Sequence, residues 1–286
     1  MTQPNRNNHI LYKNIVMKKL LIFTLIGFTI LGCSSENDET LNDSDYDEYL
    51  VENSIETEIN FMPEEIYTIN ETQEPVLKLK LITSEIFPCI NYGLSTTEFI
   101  NGNELIVRFE KIIEPELCFT ALGPATSYIE LPLNTNKVTF LNGSVIDKYS
   151  IEINEQKISI TLIENNFTTS LHDKTFRIPE NSFAYVCGTN TNNTNIYTDF
   201  SSIIEQNPDF IEFEFEGEGR IPYPETTDGN WVNHPSKYYK YTDSVEFNNL
   251  ANLLNDYSAA NIEENSGVSI SIYSWNNIKF YSWIEN

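Results

Sequence analysis

Histidine is scarce in this chain, with three in 286 residues, and His172 and His234 are the two that follow the first apolar run. That leaves too little for an HExxH metal site or a zinc ribbon, and a nucleophile triad would depend on one of two isolated imidazoles. GxSxG, P-loop and GxGxxG sequences are also missing, so no catalytic set and no cofactor or metal site can be named from motifs. Long hydrophobic runs are lacking too. The longest, residues 20–31, would rise about 18 Å as a helix against roughly 30 Å of bilayer core, too short for a permanent span. Positive charge is the other shortage: between Ser34 and Leu77 there are fourteen acids and neither Lys nor Arg. Such a one-signed stretch with few large apolar groups is expected to stay extended and solvated.

What is present begins with Met17-Lys18-Lys19, a short basic head before the apolar run, which is the pattern of a secretory signal. The run ends in Ile30-Leu31-Gly32-Cys33. This resembles the lipobox of bacterial lipoproteins, with Leu31 bulkier than the small residue commoner there. The resemblance implies that Cys33 is acylated, palmitate included, that the signal 17–32 is removed, and that the mature chain sits on a membrane through its N-terminal lipid. Residues 1–16 do not fit a signal and are expected to be an upstream extension, with Met17 as the start. The mature chain would then carry 13 basic against 42 acidic residues, 29 negative, which argues against nucleic acid as a partner.

Ser34-Ser35-Glu36-Asn37-Asp38-Glu39 is similar to the acidic export signal of surface lipoproteins of Bacteroidota, which implies an outer-membrane, cell-surface address, a periplasmic face being the alternative. Residues 33–75 are expected to be an acidic flexible tether. Asp43-Ser44-Asp45-Tyr46-Asp47 spaces carboxylates like a calcium loop, but Glu48 and Ser54 stand where the loop needs Gly and a bidentate Glu, so calcium is not expected.

From Val76 the pattern turns to period two. Leu77, Leu79 and Leu81 alternate with lysines, Leu105, Val107 and Phe109 with charges, and Asn101-Gly102 and Asn142-Gly143 mark hairpins. Residues 76–190 therefore predict an immunoglobulin-like antiparallel β-sandwich. Residues 191–286 predict a smaller α+β domain: a helix carrying Tyr197, Phe200, Ile203 and Ile204, a strand alternating Ile211, Phe213 and Phe215 with glutamates, a second helix from Asp243 with Glu246 completing a capping box, and a closing hairpin through Asn276-Asn277. The fold class is mainly β with α+β. Asp243-Ser244-Val245 also resembles an O-glycosylation site of Bacteroidota, but the helix cap explains it more simply.

Among the cysteines of the body, Cys89 and Cys118 are expected to pair and Cys187 to be a buried free thiol. Tyr223, Trp231, His234, Tyr238, Tyr239 and Tyr241, with Asp228, Asn230 and Asn233, form an aromatic segment suited to the apolar faces of sugar rings; the competing expectation is that these rings are core. Trp275, Tyr281 and Trp283 are expected to pack on the sheet. The function this supports is a binding or assembly module for a glycan or an envelope protein. The alternatives are a small hydrolase on glycan or peptide using paired carboxylates, and a structural subunit of an outer-membrane complex, which a large exposed apolar patch would favour.

Overall fold

The computed structural model describes residues 43–224 and 229–284. Met1–Tyr46 group apart from Asp47–Asn286. Of the first group one turn of 3-10 helix, Asp43–Tyr46, is described, so the lipid-attachment segment with Cys33 and the start of the tether lie outside the described residues. Among the described residues, no helix is long and apolar enough to cross a membrane.

Ten strands of Asp47–Asn286 make one sheet: β1 (Ile59–Ile66), β2 (Val76–Phe87), β3 (Gly93–Asn101), β4 (Glu104–Ile113), β5 (Gly123–Glu130), β6 (Lys137–Asn142), β7 (Val145–Ile153), β8 (Lys157–Glu164), β9 (Thr168–Ser170) and β10 (Lys174–Phe176). Their spatial order is β10-β8-β7-β6-β4-β3-β5-β2-β1-β9. In β2 the alternation acts as expected, with Leu77, Leu79 and Leu81 buried between Lys78 and Lys80. Gly102 and Gly143 take φ of 59° and 61° in the two hairpins, a left-handed turn that a side chain would strain. Although β1 stands far from β6 and β7 in the sheet, the Phe61 ring lies 4.7 Å from both Phe140 and Tyr149. The sheet is therefore rolled, and its inner face forms one core.

The mainly β, α+β class stands, with two differences of detail. The layers expected of a sandwich are the two halves of one continuous sheet, and three pairings, β1–β9, β3–β5 and β4–β6, are parallel. A strongly twisted sheet of ten strands with one apolar face curls to bury it. The tether is also shorter than expected, because β1 falls within it. Its acids mask a strand whose charges are partnered: Glu64 meets Lys80 (3.6 Å) and Arg220 (2.5 Å), and Glu65 meets Arg177 (2.8 Å).

The second sheet holds β11 (Ser182–Thr189), β12 (Phe210–Phe213), β13 (Val232–Asn233), β14 (Lys237–Tyr241), β15 (Ser269–Ser274) and β16 (Lys279–Tyr281). Its order is β12-β14-β11-β15-β16, with β13 also on β11. Helices α1 (Asn195–Glu205) and α2 (Ser244–Asn261) cover one face, where Phe200, Ile204, Phe247, Leu250 and Leu254 meet Phe183, Tyr185, Tyr239 and Ile272. The other face carries Ala184, Val186, Tyr223 and Tyr238. All eight residues of β11 are buried. The chain thus changes sheet at 177–181, before the expected boundary near 190, because β11 pairs only with strands of the C-terminal half. At α2 Asp243 accepts from Val245 N (2.7 Å) as a cap, while Glu246 accepts from Asn207 Nδ2 (3.1 Å).

Candidate functional site

The six aromatic-segment residues are not brought together. Tyr238 faces one side of the second sheet beside Tyr223 (5.9 Å), whereas Tyr239 and Tyr241, one and three residues further along β14, face the helices. Tyr223 shares a hydrogen bond with Ser182 Oγ (2.8 Å), and burial pushes its hydroxyl and that of Tyr239 well above the ordinary tyrosine range. Tyr241 accepts from Trp275 Nε1 (2.7 Å). His234 stacks flat on Tyr197 (4.5 Å, 5°) with Nε2 3.0 Å from Thr189 Oγ1. Trp231 is 85 % exposed. Asn230 is spent on Gly267 O (2.9 Å) and Ser269 Oγ (2.9 Å), and Asp228 lies outside the described residues. A period-two strand sends neighbouring tyrosines to opposite faces, so a run of aromatics in sequence does not become a platform in space.

Cys89 and Cys118 form a disulfide, Cα atoms 5.3 Å apart. Cys187 is free and buried on β11, and burial pushes its thiol up to about 11.

Among the described residues one concave feature is a half-open cleft of about 910 Å³ where the two sheets meet. Phe176 of β10 and Phe213 of β12 line it with Phe215 just beyond; the Phe215 ring lies 5.1 Å from Phe176 and 5.3 Å from Phe213. Ile178 and Pro179, on the link between the sheets, add to the apolar wall. Around it stand Glu155, Glu180, Glu214 and Glu216, with Lys157, Arg177 and Lys240. Arg177 is committed, since its Nε holds Glu65 and its Nη1 reaches Asn154 O (3.4 Å). Lys240 Nζ lies 5.8 Å over the Phe213 ring. The same Glu65 accepts from Ile178 N (2.5 Å), so the link is fixed to β1 and the cleft is preformed.

Sequence reasoning passed over most of this cleft, because its walls come from β8, β10, the link and β12. The strict Phe and Glu alternation over residues 211–216 was its one visible sign. Comparison with known proteins finds no matching family model, no matching curated protein and no matching solved structure.

Proposed function

We propose that this chain is a lipid-anchored protein of the cell envelope whose folded part is a binding module, with the cleft between the sheets as its ligand site. Anchoring rests on the basic head at Met17-Lys18-Lys19, the twelve-residue apolar run and Cys33 at its end. The observation that carries binding is the phenylalanine wall ringed by carboxylates, Phe176, Phe213 and Phe215 beside Glu180, Glu214 and Glu216. Flat apolar rings with hydrogen-bond acceptors at their edge suit a neutral sugar chain, whose ring faces are apolar and whose hydroxyls donate.

Calorimetric titration with a panel of neutral oligosaccharides is the test: Phe215→Ala and Glu214→Gln should each weaken whatever binds wild type, and a panel with no binder, or binding indifferent to both, rejects the cleft. For the anchor, radiolabelled palmitate should enter wild type and not Cys33→Ala, and protease on intact cells should shave wild type if it faces outward. Protection until the outer membrane is broken would place it on the periplasmic side. The four carboxylates sharing one cleft also favour a second reading, a glycan or peptide hydrolase. In that case Glu→Gln changes at 180, 214 and 216 would abolish turnover while leaving binding.

A further inference from the structure

At one end of the rolled sheet the ends of β2 and β4 and the starts of β3 and β5 converge, and the two loops there are apolar. Leu122 is 75 % exposed, Leu117 69 % and Phe119 57 %, and Ile86, Ile90 and Ile113 beside them are also exposed. Isolated exposed apolar residues need no account, but four large ones on two adjoining loops and two more at the strand ends that lead into them do. These loops are also rigid. Cys89–Cys118 joins them, Ile90 N donates to Phe119 O (3.3 Å), Phe119 N to Asn91 Oδ1 (3.0 Å), and Asn91 Nδ2 to Leu117 O (2.7 Å). A Cβ on Gly123 would lie 3.0 Å from the Ile90 backbone, so glycine there lets the first loop lie against β5.

We propose that this tip is a membrane-contact surface that seats Leu117, Phe119 and Leu122 in the interface of an uncharged bilayer. Three observations favour lipid over a protein groove or a second copy. At the loop crossing Leu117 O, Phe119 N and Phe119 O are bonded within the tip, which lowers the cost of entering a medium of low polarity. The surface is a set of protruding loop residues, already stapled, so ordering costs little. Its charged neighbours Glu85, Glu114 and Glu116 are acids on a chain of net charge −25, which sets a second copy and an anionic membrane against the tip and leaves an uncharged bilayer as the compatible lipid surface. The proposal rests on the anchored reading only for its setting: from Cys33 to Asp47 the chain extends at most about 50 Å, which would keep the body within reach of the bilayer.

The test uses residues 34–286, whose three apolar clusters all lie between Ile55 and Phe280, so that no lipid or signal contributes. Flotation with phosphatidylcholine vesicles should carry wild type upward. Leu117→Ser, Phe119→Ser and Leu122→Ser together should cut the bound fraction by roughly a hundredfold without lowering Tm, these side chains being exposed. Replacing part of the lipid with anionic phosphatidylglycerol should weaken wild-type binding, and salt should restore it. Wild type left at the bottom of the gradient, or a triple variant that floats equally well, overturns the proposal. So does concentration-dependent self-association that the triple variant loses while neither protein floats, which would make the tip a protein interface. Because this chain lacks Cys33, failure of palmitate labelling in the full-length protein would sink the anchor without touching this result.

Discussion

Asp147, fully buried on β7, shows how a single carboxylate can close the rolled sheet. Its oxygens accept from Asn166 N (2.7 Å), Phe167 N (3.0 Å), Thr168 N (2.7 Å) and Thr168 Oγ1 (2.6 Å), which pins the turn leading into β9. Replacing it with Ala leaves three backbone donors without partners, and we expect Asp147→Ala to cost about 3 kcal/mol or more in a urea titration. A cost below about 1 kcal/mol would mean that water takes its place. Cys187 supplies a prediction of the opposite kind. With its thiol pushed up to about 11 by burial, it should resist iodoacetamide in the native protein and react only on unfolding. Rapid labelling of the folded chain would contradict that. Nothing in the sequence marks Asp147 among 42 acids, because its role depends on a turn nineteen residues away.

Elements with local causes were legible, and those held by distant partners were not. The Asn-Gly hairpins, the Phe247, Leu250 and Leu254 stripe of α2 and the closing hairpin, where Asn277 takes φ 69°, follow from neighbours in sequence. By contrast, β1 was hidden by Glu64 and Glu65, whose neutralising bases include Arg177 and Arg220 more than a hundred residues on. The disulfide joins positions 29 apart, a loop whose closure is worth about 3.6 kcal/mol in the chain-entropy picture. The Cys89→Ser, Cys118→Ser pair should lose that much in denaturant, and a negligible loss would mean that the hydrogen bonds between the loops suffice. For α1 the relevant contact is Tyr197 on His234, whose imidazole is held below its ordinary value by burial. The unfolded chain therefore takes up a proton first, so this stabilisation is complete above 6.5 and fades as pH falls from there. Stability measured down to about pH 5 should decline less in His234→Gln than in wild type; equal decline would exonerate His234.

At the scale of the whole molecule, composition and periodicity reached the class but not the closure. Period-two strands are equally compatible with two stacked sheets and with one sheet rolled on itself, and the choice between them is made by pairings such as Ile59 with Thr168. The candidate site follows the same logic. The phenylalanines at 213 and 215 could be picked out by their alternation, but the cleft exists only because the link at 177–180 is clamped to Glu65.

β11 has a consequence for how such a chain is made. Its eight buried residues are hydrogen-bonded on one edge to β13 and β14 and on the other to β15, all of which come later in the sequence. A chain emerging N-terminus first has every strand of the rolled sheet by Phe176, so that half can assemble early. The next strand to appear, Phe183-Ala184-Tyr185-Val186-Cys187, then waits, apolar on both faces, with both edges unpaired until Tyr241 is out and one edge unpaired until Ser274 follows. During that interval it is the segment most exposed to pairing with another chain, and the speed with which the last hundred residues emerge sets how long the hazard lasts.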